Sequence, residues 1–238
     1  MPMSTYTHDE VERAFHEFLR RGAYGHDWVG WSNVFTDDAL YTEHCLGQFI
    51  GSTGIRDWIV AQMAVVPAMS FSIEWYDIVD DKVSLWIWNH LPDPRGGGEQ
   101  FEFPNYTLLT YAGGGKWRKE EDVYDPTTSE STVVSWFKAG GNQKTPDDRS
   151  LRPKAFSHPP LPLTSPTSVI MQAAVSSNVP NGAQVRECVV SGARAAVIYD
   201  TDERTHGLIL HVDGNGAVVF KDEFTNPREN FGKKDVLR

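Results

Sequence analysis

The chain predicts an α+β fold, and three observations carry that reading. Apolar residues recur first at helical spacing and then, from Phe71 onward, at strand alternation. All eight Trp fall between Trp28 and Trp136, and 23 of the 28 aromatics lie in residues 1–137. Two 22-residue segments, Asn105–Pro126 and His206–Pro227, align without a gap at an offset of 101.

The elements follow in order. Thr7 with Glu10 three residues on is a capping box. Val11, Ala14, Phe15, Phe18 and Leu19 give that helix one apolar face, and Arg20-Arg21-Gly22 ends it. Asp27 caps a second short helix carrying Trp28, Trp31, Val34 and Phe35. Ala39–Cys45 reads as a short strand. Thr53 opens a third helix, which Pro67 stops. Four strands follow: Phe71–Val79, Val83–Leu91, Phe101–Tyr111 and Trp117–Tyr124. The glycines at 96–98 and 113–115 mark turns between strands.

Residues 138–166 hold six of the fourteen prolines and no apolar periodicity, so they read as a linker. A helix near Ser168–Val175 and strands at Gln184–Ser191, Arg194–Asp200, Gly207–Val212 and Ala217–Phe224 complete the chain. The expected organisation is a complete domain at 1–137, the linker, a truncated second copy at 167–228 and a tail at 229–238. In the repeat, Gly115 falls on Gly216, Asp122 on Glu223 and Pro126 on Pro227. The alternative is two generic hairpins with glycine turns.

Bulk numbers exclude several functions. The formal charge over 238 residues is −10, which disfavours a nucleic-acid partner. Residues 1–125 carry 9 basic and 20 acidic groups, a balance of −11. No apolar run reaches the roughly 18–20 residues of a membrane span, and no secretory leader is visible, so a cytoplasmic location without membrane contact is expected. Cys45 and Cys188 are too few for a disulfide scaffold. Walker, GxGxxG, HExxH and GxSxG patterns are absent, and no cofactor is expected.

The order of Asp27-Trp28, Phe35-Thr36-Asp37-Asp38-Ala39, Gly51-Ser52-Thr53-Gly54-Ile55-Arg56 and Gly115–Pro126 resembles the SnoaL-like polyketide cyclase branch of the nuclear-transport-factor-2-like superfamily. The resemblance spans about residues 9–136. It implies a cystatin-like cone, a curved antiparallel sheet wrapped round helices; the internal repeat adds a partial C-terminal copy of helix and meander sheet. It also implies an apolar pocket for a small hydrophobic ligand, and a homodimer.

Alternation puts Glu120, Asp122 and Tyr124 on one face of the closing strand, which the resemblance makes the pocket face. Asp122 is the implied acid/base residue. Glu43 falls where the related isomerases carry their proton-transfer carboxylate, and His44 is adjacent. The alternatives are a solvent-facing acidic edge, with Glu120 and Glu121 paired to Arg118 or Lys119, and a Glu43–His44 pair at the rim. The isomerases' oxyanion tyrosine falls near Leu19 and their protonated aspartate near Thr107, so Tyr24 or Asn105 is expected to supply a hydrogen bond. Trp88 and His90 share a face of the second strand and are further candidates for the ligand wall. Glu43, Glu120 and Asp122 offer hard oxygens, but no ligand spacing supports a metal and none is expected. The expected function is cofactor-independent cyclisation, dehydration or isomerisation of a small hydrophobic carbonyl metabolite. The alternative is a non-catalytic ligand-binding protein.

Overall fold

The computed structural model describes residues 5–227, and the tail expected at 229–238 lies outside them. The chain forms two compact units. The first runs to Lys154 without the turn at His44–Leu46; the second comprises that turn and the chain from Ala155 on. The segment expected as a linker is therefore divided, with residues up to Lys154 packed on the first unit. There, Ser70 Oγ donates to the Asp148 carbonyl at 3.0 Å.

In the first unit, helix α1 (His8–Arg21) starts at Thr7, whose Oγ1 accepts from the Glu10 amide at 3.2 Å. Its apolar face, Val11, Ala14, Phe15, Phe18 and Leu19, is wholly buried. Each large side chain so covered contributes about 1.5–3 kcal/mol. Helix α2 (Trp28–Ser32) is capped by Asp27. Strands β1 (Phe35–Glu43) and β2 (Gly47–Ile50) precede α3 (Gly51–Val65). That helix begins two residues before Thr53, and no side chain caps it. Gly51 takes φ +70° there, and a Cβ would meet the Asp37 carbonyl oxygen at 2.5 Å.

The meander is β3 (Ser70–Val79), β4 (Lys82–Pro92), β5 (Gln100–Gly113) and β6 (Lys116–Val123). Helix α4 (Pro126–Lys138) follows, an element the sequence reading did not include. Its signals are plain in retrospect: Asp125 accepts from the amides of Thr127 and Thr128, and Pro126 sits in the first turn. Trp136 anchors α4, fully buried, with its indole donating to the Pro92 carbonyl at 2.9 Å.

The curved sheet is open, in the order β2-β1-β6-β5-β4-β3. Every ladder is antiparallel except β1 with β6, which is parallel. Helices α1 to α3 share one apolar core with Tyr41, Val83, Leu85, Phe103 and Leu109, which defines the sheet's concave face.

The second unit holds α5 (Ser168–Asn178) and strands β7 (Gln184–Ser191), β8 (Arg194–Asp200), β9 (Arg204–Val212) and β10 (Val218–Pro227), in the order β10-β9-β8-β7. Helix α5 packs Met171, Ala174 and Val175 against Val197, Leu208 and Leu210.

The two meanders share their register. Thr107 faces Asp122 and Leu208 faces Glu223, both members shifted by 101. Ile73 faces Ile87 and Val185 faces Tyr199, both shifted by 112. The bulge between Ile73 and Trp75 reappears between Val185 and Glu187. Even the turns agree: Asp80 has φ +55° and Gly192, at the matching position, +56°. Only the central connection differs, being 11 residues shorter in the second unit.

Candidate functional site

Cross-strand pairs point to the same side of a sheet, so register decides what Asp122 meets. Glu43 and Thr107 stand directly opposite Asp122 on its two neighbouring strands. Two positions back, Glu120 stands between Tyr41 and Leu109. All lie on the concave face.

A polar network crosses that face. The Tyr41 hydroxyl donates to Asp122 Oδ2, and the Thr107 hydroxyl donates to Oδ1. Asn105 Nδ2 donates to the same Oδ1 at 3.3 Å and to Thr107 Oγ1 at 2.8 Å. Asn89 Nδ2 donates to Asn105 Oδ1 at 2.9 Å, fixing the amide from behind. Three donors on one carboxylate suit an anion.

Glu120 is the opposite case. It is 3% exposed, and among the described residues no hydrogen-bond partner reaches its Oε2. Burial pushes its carboxyl well above the usual range, and the neighbouring Asp122 charge adds to that. Burial likewise pushes the Tyr41 phenol up, with Asp122, Glu120 and Glu43 all contributing. The alternative of a solvent-facing acidic edge does not hold, since Glu120 and Glu121 are both buried. Glu121 turns the other way and pairs with Lys119 at 3.0 Å, while Arg118 bonds to Asp81.

The structure therefore brings Asp122, Glu120, Glu43 and Asn105 together. Tyr124, just past β6, packs its ring on Phe103 with centroids 6.1 Å apart. Other expected residues stand elsewhere. His44 lies past the end of β1, in the turn that belongs to the second unit, and is 2% exposed. Trp88 and His90 lie on the face opposite Asp122, because Leu85, Ile87 and Asn89 occupy the concave side of β4. There His90 bonds to Ser72 Oγ at 2.7 Å and Gln100 Nε2 at 2.8 Å. Tyr24 is 51% exposed and lines a different cleft.

Two members escaped the sequence reading. Asn89 was hidden among aromatics, although alternation separates it from Trp88 and His90. Tyr41 precedes Glu43 by two and so shares its face, but only the parallel β1–β6 ladder brings it to Asp122. Among the described residues, no cluster of His, Cys, Asp or Glu is arranged to hold a metal, and no helix is long and apolar enough to cross a membrane.

Residues 11–120 match the sequence profile of the SnoaL-like domain family. Residues 11–120 of the first unit are a SnoaL-like domain. Among solved structures, the chain is similar to TerC co-crystallised with polyporic acid, at 15% identity and TM-score 0.45, over 52% of this chain and 98% of that one. A protein from Shewanella denitrificans OS-217, described as a SnoaL-like polyketide cyclase, aligns at 16% identity and TM-score 0.43, over 52% and 97%. A protein with a ketosteroid-isomerase-like fold from Catenulispora acidiphila DSM 44928 aligns at 18% identity and TM-score 0.43, over 62% and 100%. No curated protein matches the chain.

Proposed function

We propose that the SnoaL-like unit is a cofactor-independent acid/base enzyme for a small hydrophobic metabolite carrying a carbonyl. The observation that supports it is a base and an acid on one buried face. Asp122, held by Tyr41, Thr107 and Asn105, accepts a proton from the carbon beside the carbonyl. Glu120, kept neutral by burial, donates to the developing enolate oxygen. That donor stands in for those missing where Leu19 and Thr107 replace a tyrosine and an acid. The two carboxyls sit at alternate positions of one strand, about 7 Å apart, which leaves room for a flat ligand. Glu43 is the second shuttle that returns the proton. The net reaction is cyclisation, dehydration or isomerisation.

Deuterium uptake at the α-carbon tests this directly. A panel of aromatic and alicyclic β-diketones is incubated in D₂O and read by mass spectrometry. The wild type exchanges at least one of them and Asp122→Asn does not, while circular dichroism is unchanged. Tight binding with no exchange supports the alternative, a ligand-binding protein. The absent tyrosine at Leu19 favours that second reading.

The proposal extends to a cytoplasmic homodimer, checked by sedimentation for twice 26.7 kDa. It also treats the second unit as a truncated duplicate, which the shared register and shared bulges support. A relative in which a full set of helices precedes a second meander would strengthen that origin. A relative whose C-terminal sheet has unrelated register would count against it.

A further inference from the structure

Two polar atoms beside the Asp122 network are buried without a partner among the described residues. One is Glu120 Oε2; the other is the indole nitrogen of Trp58. An indole N–H can only donate, and burying it without an acceptor is costly. Folded proteins keep few such groups, and each calls for a cause.

The local structure holds this ring in place. Trp58 stands on α3, three residues after the buried Ile55. Its ring lies over the β1–β2 hairpin, where Tyr41 and Phe49 are directly opposite in register. It stacks on Phe49, with centroids 4.4 Å apart and planes at 17°, and meets Tyr41 at 4.7 Å. Tyr41 in turn donates its hydroxyl to Asp122 and stands opposite Glu120. One phenol thus joins the Trp58 ring to both carboxyls. Trp58 is half-buried, so part of its ring meets solvent while its nitrogen does not. Trp117 makes the contrast. Its nitrogen is likewise unpartnered among the described residues, but the side chain is fully buried beside Phe18 and Tyr111, which leaves a ligand no approach.

A fixed N–H donor near a base and a second carboxyl suits one chemical feature, an oxygen that gains negative charge. We propose that Trp58 is a catalytic residue of this site, its indole N–H binding the carbonyl oxygen of the ligand. As Asp122 takes the α-proton, the C–H electron pair enters the enolate and the charge moves onto that oxygen. Trp58 and Glu120 both donate to it there, and the indole keeps its own proton. A flat conjugated carbonyl compound fits best, because Trp58, Tyr41 and Phe49 offer it an aromatic wall. For the reaction the assignment rests on the acid/base reading of Asp122; for binding it does not.

The test reads the indole N–H signals of the full chain by NMR. Trp58→Phe keeps a stacked ring, removes the donor and identifies the Trp58 signal by its loss. The probes are the β-diketone panel, with butylbenzene as the carbonyl-free match for its member benzoylacetone. At least one diketone should move the Trp58 signal downfield, in wild type and in Asp122→Asn alike, and butylbenzene should not. Trp58→Phe should lower the kcat of deuterium exchange about 10²-fold, with an unchanged melting profile. Exchange by Trp58→Phe at the wild-type rate overturns the catalytic role. A Trp58 signal that no diketone moves overturns the proposal entirely, as does an equal shift with butylbenzene, which would mark ring contact without a hydrogen bond. If the wild type exchanges no diketone while one still moves the signal, the acid/base reading of Asp122 falls and the carbonyl contact of Trp58 stands.

Discussion

Strands β3–β6 and β7–β10 pair in the same register, yet the carboxylates at matching positions live in different surroundings. Asp122 is half-buried among Tyr41, Thr107 and Asn105, in a face covered by three helices. Glu223 is exposed. It takes a hydrogen bond from the Tyr199 hydroxyl, sits 3.0 Å from His206 Nδ1 and pairs with Lys221 at 3.3 Å. The residue two before each carboxylate shows the contrast best. In the first unit it is Glu120, buried and held neutral; in the second it is Lys221, solvated and paired. Glu223 is in turn held below the ordinary carboxylate range; its burial opposes this, while Tyr199, Lys221 and His206 prevail. The bulge residues differ likewise: Glu74 has Arg186 as its counterpart, which bridges Asp200 at 3.0 Å. The lesson is that backbone register positions a carboxylate, and the cover over it decides its chemistry.

The largest effect that would sharpen this contrast is catalytic. Asp122→Asn should lower deuterium exchange by about 10²–10⁴-fold, and Glu223→Gln should leave it within about twofold. Equal losses from both would break the contrast.

A stability effect follows, in the stretch that the shorter second meander lacks. Burial, aided by the Arg152 charge, holds His90 down at about 4, although Glu102 lies 3.3 Å from its Nδ1. The unfolded imidazole takes up its proton near 6.5. The folded form therefore contributes stability above that pH and loses it as pH falls toward 4. Chemical denaturation of wild type against His90→Gln should show a relative fall of roughly 2–3 kcal/mol across that window. A flat difference would show that His90 does not titrate with folding.

Tyrosine substitutions compare the two carboxylates more gently. Tyr41→Phe should cost about 1–3 kcal/mol, because it takes a donor from an acid that water reaches poorly. Tyr199→Phe should cost about 0.5–1.5 kcal/mol, because water can replace it at Glu223. Urea midpoints at pH 7 decide this, and equal costs would contradict the difference in cover.

The smallest effect concerns Glu120. Its folded carboxyl keeps a proton that the unfolded one releases above about 4.5. Its contribution is therefore present below that pH and declines above it. Glu120→Gln should gain on wild type as pH rises from 4 to 8, read by urea denaturation at each pH. No gain would mean the carboxyl ionises freely in the fold.

Much of this was legible in the sequence, because it rests on local signals. The caps at Thr7 and Asp27, the alternation of β3–β6 and the 101-residue offset all reflect neighbours within one element or hairpin. Alternation groups Glu120 with Asp122, whereas the role of Asp122 and the choice of Glu43 and Asn105 come from the family resemblance. What stayed hidden depends on distant pairing. Tyr41 meets Asp122 across 81 residues, and no periodicity reports a parallel ladder. His90 and Trp88 were misplaced for a related reason: alternation groups residues of a strand but does not say which group faces the helices. Helix α4 carries a clear cap and was overlooked because its apolar face is narrow.

The parallel ladder of β1 on β6 also has a kinetic side. Hairpins such as β3–β4 close over short loops, whereas β1 must wait for a strand that is made some 80 residues later. Contacts of such sequence separation form slowly. The Tyr41–Asp122 bond is thus a marker of completed folding. A chain still emerging from the ribosome can close the β1–β2 hairpin but leaves the other edge of β1 open until β6 arrives, and the polar network around Asp122 would form only at that closing step.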